Sequence, residues 1–338
     1  MKAIVQSEYG SPAVLRVEEV DPPRLTNDGV LVRVQATSVH AGDWHLMRGD
    51  PWLVRLIYGG IRQPKFKTLG CDMAGIVEAV GSQVTQFKVG DPVFGDLSEC
   101  GFGAWAEQVC VPEQALVLKP TNLTFAEAAT VPVSGIPALQ GLRDVGQIQP
   151  GQRVLIHGAA GGVGSFAVQM AKGWGAEVTG ICSAHKMEMV QKLGADLVSS
   201  YDQLGCDKSP LARTLAGGYD LILDAAAYRS VFDYFPLLKR GGTYVLVGGS
   251  MPRLFLVLLL GSLISVMSGR RVKSLVSRPN QLDLSVLKEW IEAGKIHPYV
   301  DRTYELSQLP DAIDALERRQ VRGKVAIRVG SEGVTVRG

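Results

Sequence analysis

Val154-Leu155-Ile156-His157 runs straight into Gly158-Ala159-Ala160-Gly161-Gly162-Val163-Gly164, and an amphipathic stretch over 165–172 follows. That order is strand, tight turn, helix. In such a turn the first free N–H groups of the helix point at the glycines, and bare backbone lets a pyrophosphate approach. Gly158, Ala160, Gly161, Gly162, Val163 and Gly164 are therefore candidate cofactor-binding residues. An NAD site of this kind places an acid about 20 residues on, where it bonds the ribose 2′-OH. Here the second strand ends in Gly180-Ile181-Cys182-Ser183, and the next acid is Glu188, inside the following helix. Ser183 and Lys186 stand there instead. A hydroxyl and an ammonium suit a 2′-phosphate, so the expected cofactor is NADPH.

The elements that must position this turn are legible from pattern. Strands at 153–157, 177–181, 195–198, 220–224 and 243–247 alternate with helices at 163–172 and 185–193. Short apolar strands between helices imply a parallel sheet covered on both faces. Gly248 and Gly249 follow the strand at 243–247, at the sheet edge where a nicotinamide would lie. Before residue 120 the pattern is different. Residues 30–36 alternate with period two, 75–80 form a short apolar run, and Asp21-Pro22-Pro23 and Gly90-Asp91-Pro92 punctuate them, as in a β-rich domain. Helices at 282–293 and 309–318 and a strand at 324–329 do not extend the parallel sheet. They are expected to return to the first domain, which makes it discontinuous.

The chain has 338 residues, 46% of them hydrophobic and 20% charged, with a formal net charge of +2. That length allows two domains, and the charge gives no footprint for nucleic acid. Five cysteines (Cys71, Cys100, Cys110, Cys182, Cys206) include no C-x-x-C pair, which argues against a zinc ribbon or a disulfide framework. No signal-peptide pattern follows Met1, and a cytoplasmic protein is expected. Residues 254–267 are apolar on every side, flanked by Arg253 and by Arg270-Arg271. They fall short of the ~20 residues that cross a bilayer. Three readings stand: burial in the core or a subunit interface, which is favoured; a wall over the substrate site; and a peripheral membrane contact.

Further motifs carry a family resemblance across nearly the whole chain. Gly70-Cys71-Asp72-Met73-Ala74-Gly75 with Val80-Gly81, then Phe87-Lys88-Val89-Gly90-Asp91-Pro92-Val93-Phe94-Gly95, the phosphate turn, Leu193-Gly194-Ala195-Asp196 and Arg322-Gly323-Lys324-Val325 occur in the family's order. The chain resembles the medium-chain dehydrogenase/reductase superfamily, in its zinc-free quinone oxidoreductase and enone reductase branch. The resemblance implies an α/β fold in which a doubly wound Rossmann domain (124–269) is inserted in a discontinuous GroES-like catalytic domain (1–123 and 270–338). It implies that Ser183, Lys186 and Tyr201 hold the 2′-phosphate of NADPH, and that the chain pairs as a homodimer.

Zinc-dependent members place ligands at positions matching His40, Cys71 and about Val133. Valine supplies no ligand and a catalytic zinc takes three from the protein, so no metal is expected. Ser38-Val39-His40-Ala41-Gly42-Asp43-Trp44-His45 resembles the motif at the family's active site, with His40 in place of Asn and His45 in place of Tyr or Lys. In the family the latter side chain lies near the nicotinamide and the substrate oxygen. There an imidazole, ordinarily titrating near neutrality, could protonate a developing enolate, or His45 only lines the cleft. Asp43 is expected to bond backbone and fix the loop. The expected activity is NADPH-dependent reduction of a quinone or an activated alkene. Two other readings stay open: a zinc-free alcohol or aldehyde oxidoreductase, and an NADPH-binding, membrane-associated interaction protein with little turnover.

Overall fold

A computed structural model describes residues 1–58, 60–203, 218–249 and 251–330; Cys206 and Ser250 lie outside them. The chain divides into two compact units. One holds Met1–Val133, Pro279–Glu292 and the chain from Pro298 onward, and the other holds Ser134–Arg278 with Ala293–His297. Cys71, Cys100, Cys110 and Cys182 are free thiols.

The first unit opens with β1 (Lys2–Val5) paired antiparallel to β2 (Arg16–Glu19). The strand β3 (Gly29–Val39) is followed by helices α1 (Ala41–Arg48) and α2 (Leu53–Ile57), then by β4 (Asp72–Val80), β5 (Pro92–Asp96), β6 (Gln108–Pro112) and β7 (Leu116–Leu118). Period-two alternation in β3 sends Val30, Val32 and Val34 into a core with Met73, Val77, Val93 and Leu116, while Arg33 stays exposed. Thr124 caps α3 (Phe125–Ala128) in a capping box with Glu127. The helix α4 (Pro132–Gln140) comes next.

In the second unit β8 (Arg153–His157), α5 (Gly162–Gly173), β9 (Glu177–Cys182), α6 (Met187–Lys192), β10 (Leu197–Ser200), β11 (Tyr219–Asp224), β12 (Leu238–Leu246), α7 (Met251–Ser268) and β13 (Arg271–Ser274) follow in order. The six strands pair parallel in the order β10-β9-β8-β11-β12-β13. This is a doubly wound sheet whose strand order reverses between β8 and β11, and ligands bind such sheets in the crevice outside that switch point. The chain then returns to the first unit through α8 (Gln281–Glu292), β14 (Val300–Glu305), α9 (Leu309–Glu317) and β15 (Lys324–Arg328). There β14 and β15 extend the sheet of β3, β4, β5 and β7.

The apolar segment is not a core helix. A single stripe of α7 faces the sheet: Val257, Ile264 and Gly261, where a Cβ would lie 2.9 Å from the Val272 carbonyl oxygen. The Ser265 hydroxyl bonds the Gly261 carbonyl and accepts from the Val272 N–H at 2.8 Å. Most positions off that stripe are apolar too, so Leu259, Leu263, Val266 and Met267 stand exposed, Val266 at 83%. The expectation of burial in the chain's own core is corrected accordingly. Periodicity reports a buried face only when the opposite face is polar. Among the described residues, no helix is long and apolar enough to cross a membrane.

At one end of the first unit's sheet, a buried polar network ties three strands together. Asp72 opens β4 and is fully buried; its Oδ2 accepts from the Ser38 hydroxyl of β3 and from Lys324 Nζ of β15 at 3.0 Å. Its Oδ1 accepts the Val133 N–H at 2.8 Å, and its carbonyl accepts from the Thr37 hydroxyl at 2.6 Å. Lys324 is only 3% exposed. Removing one member of a buried pair leaves the other charge uncompensated, which costs about 3–5 kcal/mol. Lys324→Met is therefore expected to lower urea-unfolding stability by about that amount; a loss under about 1 kcal/mol would show the pair to be dispensable.

Candidate active site

The phosphate turn is shaped by contacts that only glycine tolerates. Gly158 has φ +84°, and its N–H and that of Ala159 both donate to the Ile181 carbonyl, at 2.9 and 3.0 Å. A Cβ on Gly164 would lie 2.1 Å from the Gly158 oxygen, so the turn rests directly on the first coil of α5. Gly161 is the N-cap of α5 and no side chain caps the helix; a Cβ there would meet nothing nearer than 3.4 Å. The start of a twelve-residue helix thus presents bare N–H groups beside open space, which fits a pyrophosphate. Ala160 is buried within the turn and Val163 is half-buried on the first coil.

Ser183 follows β9 and is the N-cap of a 3-10 turn over Ala184–Lys186, in which Lys186 is buried. Tyr201, just past β10, donates its N–H to the Cys182 carbonyl at 3.1 Å. The fold thereby brings Ser183, Lys186 and Tyr201 to one corner of the sheet's carboxyl edge. Gly248 has no atom within 4 Å of where a Cβ would stand. At Gly249, φ is +103° and a Cβ would lie 2.4 Å from that of Ala227.

Pattern reading missed two residues at the switch point. His157 ends β8, Asp224 ends β11, both are fully buried, and His157 Nδ1 lies 2.9 Å from Asp224 Oδ1. The same carboxylate accepts the N–H groups of Ala226 and Ala227, at 3.1 and 2.7 Å, and the Tyr244 hydroxyl at 2.8 Å. Burial by itself would raise the Asp224 carboxyl, but the hydrogen bonds from His157, Ala227 and Tyr244 outweigh it and hold it below its ordinary value. Asp224 so fixes the turn that packs against both Gly158 and Gly249. The available signal was an acid directly after the apolar run Leu221-Ile222-Leu223.

In the first unit, His40 is the N-cap of α1. Its Nδ1 accepts the Gly42 N–H at 2.9 Å, while its own N–H donates to Asp43 Oδ2 at 2.8 Å, closing a capping box. Asp43 is fully buried, and Cys71 Sγ lies 3.9 Å from its Oδ1. His45, one turn on, places Nδ1 2.7 Å from the Asp50 carbonyl oxygen. A carbonyl only accepts, so Nδ1 carries the proton and Nε2 holds a lone pair in the neutral ring. His45 can give up a proton from Nε2 only as an imidazolium.

Residues 26–121 match the model of the alcohol dehydrogenase GroES-like domain, and residues 193–327 that of the zinc-binding dehydrogenase family. Over 97% of its length the chain is 32% identical to the 2-methylene-furan-3-one reductase of Solanum lycopersicum, covering 79% of it. It is equally similar, with the same coverage, to the NADPH-dependent alkenal/one oxidoreductase of Arabidopsis thaliana. The chain belongs to the medium-chain dehydrogenase/reductase superfamily. Its fold superposes on the quinone oxidoreductase of Coxiella burnetii with a TM-score of 0.85 at 26% identity, over 98% of this chain and 99% of that one. Within the superfamily it falls in the quinone oxidoreductase branch, and it is an oxidoreductase using a nicotinamide cofactor.

Zinc-dependent members of the superfamily make one question unavoidable, because His40, Asp43 and Cys71 hold three potential ligand atoms within 4.8 Å. The donor set does not fit a catalytic zinc. With Nδ1 accepting from Gly42, the neutral His40 ring carries its proton on Nε2, the nitrogen that faces Asp43 at 3.5 Å and would have to bind the metal. Burial, then the Lys324 charge, lowers His40 to about 4. Burial also raises the Asp43 carboxyl to about 8 and pushes the Cys71 thiol well up. In the same geometry His40 accepts the Gly42 N–H with its ring. Its ring holds the start of α1, which makes it a positioning residue.

Proposed function

We propose that this oxidoreductase takes NADPH and reduces a quinone or an α,β-unsaturated carbonyl without a metal. The observation that carries the reading is the pairing of an uncapped glycine turn with a corner of Ser183, Lys186 and Tyr201 where no acid ends β9. The names of the plant relatives, an enone reductase and an alkenal/one oxidoreductase, support the acceptor class. When bound, the nicotinamide supplies the hydride. The chain's own residues do the rest. The turn over Gly158–Gly164 holds the pyrophosphate, and Gly248 and Gly249 leave the backbone bare beside the nicotinamide. His45, as an imidazolium, delivers a proton from Nε2 to the oxygen on which negative charge develops. The Asp50 carbonyl fixes the ring for that transfer.

Turnover is expected with NADPH and quinones or enones, unchanged by a chelator, from protein carrying no stoichiometric zinc. Reduction confined to aldehydes would favour the alcohol oxidoreductase reading, and tight NADPH binding without turnover would favour the non-enzyme. His45→Phe should lower kcat for enone reduction by about a hundredfold. Unchanged turnover in the variant would leave His45 as a lining residue.

We propose in addition that a second copy covers the exposed face of α7. β13 is the end strand of the sheet, and α7 packs beside it, so one symmetric contact would cover both. Light scattering should give the mass of a dimer, and Leu259→Glu with Val266→Glu should give a monomer. Wild-type monomers that float with anionic liposomes would instead make this face a membrane contact.

A further inference from the structure

Arg229 lies in the loop after β11, yet its guanidinium reaches the other side of the crevice. Nη2 donates to the Tyr201 carbonyl at 3.1 Å, just past β10. In the strand order β10-β9-β8-β11, that reach crosses the carboxyl ends of β8 and β9, where the phosphate turn and Ser183 stand. Tyr201 is in turn held to the end of β9 by its N–H bond to Cys182. Its ring meets that of His157 edge-on at 5.0 Å and that of Tyr228, next to Arg229, at 6.0 Å. The half-buried Arg229 is thus held in place from two sides.

A guanidinium has five N–H donors, and one of Arg229's is committed to a carbonyl, which neutralises no charge. Among the described residues no carboxylate pairs with it. A partly desolvated cation without a counter-ion is costly unless an anion arrives. Bidentate arginine is the side chain best shaped to receive a phosphate. We propose that Arg229 is a specificity-determining residue whose guanidinium, together with Lys186 and Ser183, binds the 2′-phosphate of NADPH. The proposal rests on the NADPH reading above. It adds a residue from the far side of the switch point that no spacing from the glycine turn would indicate.

Calorimetric titration of the full chain with NADPH, NADH, 2′,5′-ADP and 5′-AMP separates the two, since none of these measurements requires turnover. The wild type should bind 2′,5′-ADP far more tightly than 5′-AMP. Arg229→Ala should weaken NADPH and 2′,5′-ADP by about tenfold or more while leaving NADH and 5′-AMP within about twofold. Arg229→Lys, keeping the charge but losing the fork, should fall between. If the wild type does not distinguish 2′,5′-ADP from 5′-AMP, the NADPH reading fails and Arg229 with it. If the wild type does distinguish them, two results overturn the role of Arg229 alone. One is that Arg229→Ala keeps the discrimination. The other is that it weakens NADH as much as NADPH, as loss of the Tyr201 contact by itself would. Arg229→Gln, which retains a donor for the Tyr201 carbonyl, guards against misfolding and should lose the phosphate preference with the fold intact.

Discussion

The carboxylate of Asp72 lies wholly out of water, and a buried charge is tolerated only where partners surround it. Each of its partners comes from a different part of the first unit: Ser38 from β3, Lys324 from the strand that closes the chain's return, and the Val133 N–H from the start of α4. The network lies where β3 ends, at Val39, and His40 comes next. From that point the capping box starts α1, and α1 carries His45 to the Asp50 carbonyl. A residue that touches no reacting atom thus decides where the proposed proton donor stands. The same constraint shapes the metal question. Val133, near which the family resemblance implied a third zinc ligand, contributes its backbone N–H to Asp72.

The second unit meets a parallel requirement with other means. Its glycine turn leaves bare backbone at the start of α5, and Gly164 packs closely on Gly158. Asp224 then serves three strand ends at once, from His157 on β8 to Tyr244 on β12, and its carboxylate stays charged because donors surround it. Positions that hold a cofactor within a fraction of an ångström need such fixed supports.

The parallel sheet, its glycine turn and the β-rich character of the first unit were legible because each depends on local pattern: period, turn residues, and the order of elements. So was the corner of Ser183 and Lys186, which stands at a fixed distance from the turn. What pattern could not show are pairings across the chain. His157 and Asp224 are 67 residues apart, Lys324 and Asp72 are 252 apart, and nothing in either neighbourhood names the partner. The role of His40 depends on which ring nitrogen is committed, a matter of geometry and not of residue type. For α7 the composition was plain and the packing was not, since apolar residues on every side hide which stripe meets the sheet. Arg229 escaped for a related reason: its reach across the crevice exists only once strand order is known.

The central claim is that hydride goes to the far carbon of a conjugated system while the protein supplies the proton at oxygen. Transfer from NADPH deuterated at C4, followed by mass spectrometry or NMR of the reduced enone, tests it directly. Deuterium on the β-carbon, with a solvent proton on the α-carbon, is the expected result. Deuterium on the former carbonyl carbon would contradict it, because the chain would then be a carbonyl reductase and the roles given to His45 and to the acceptor would be wrong.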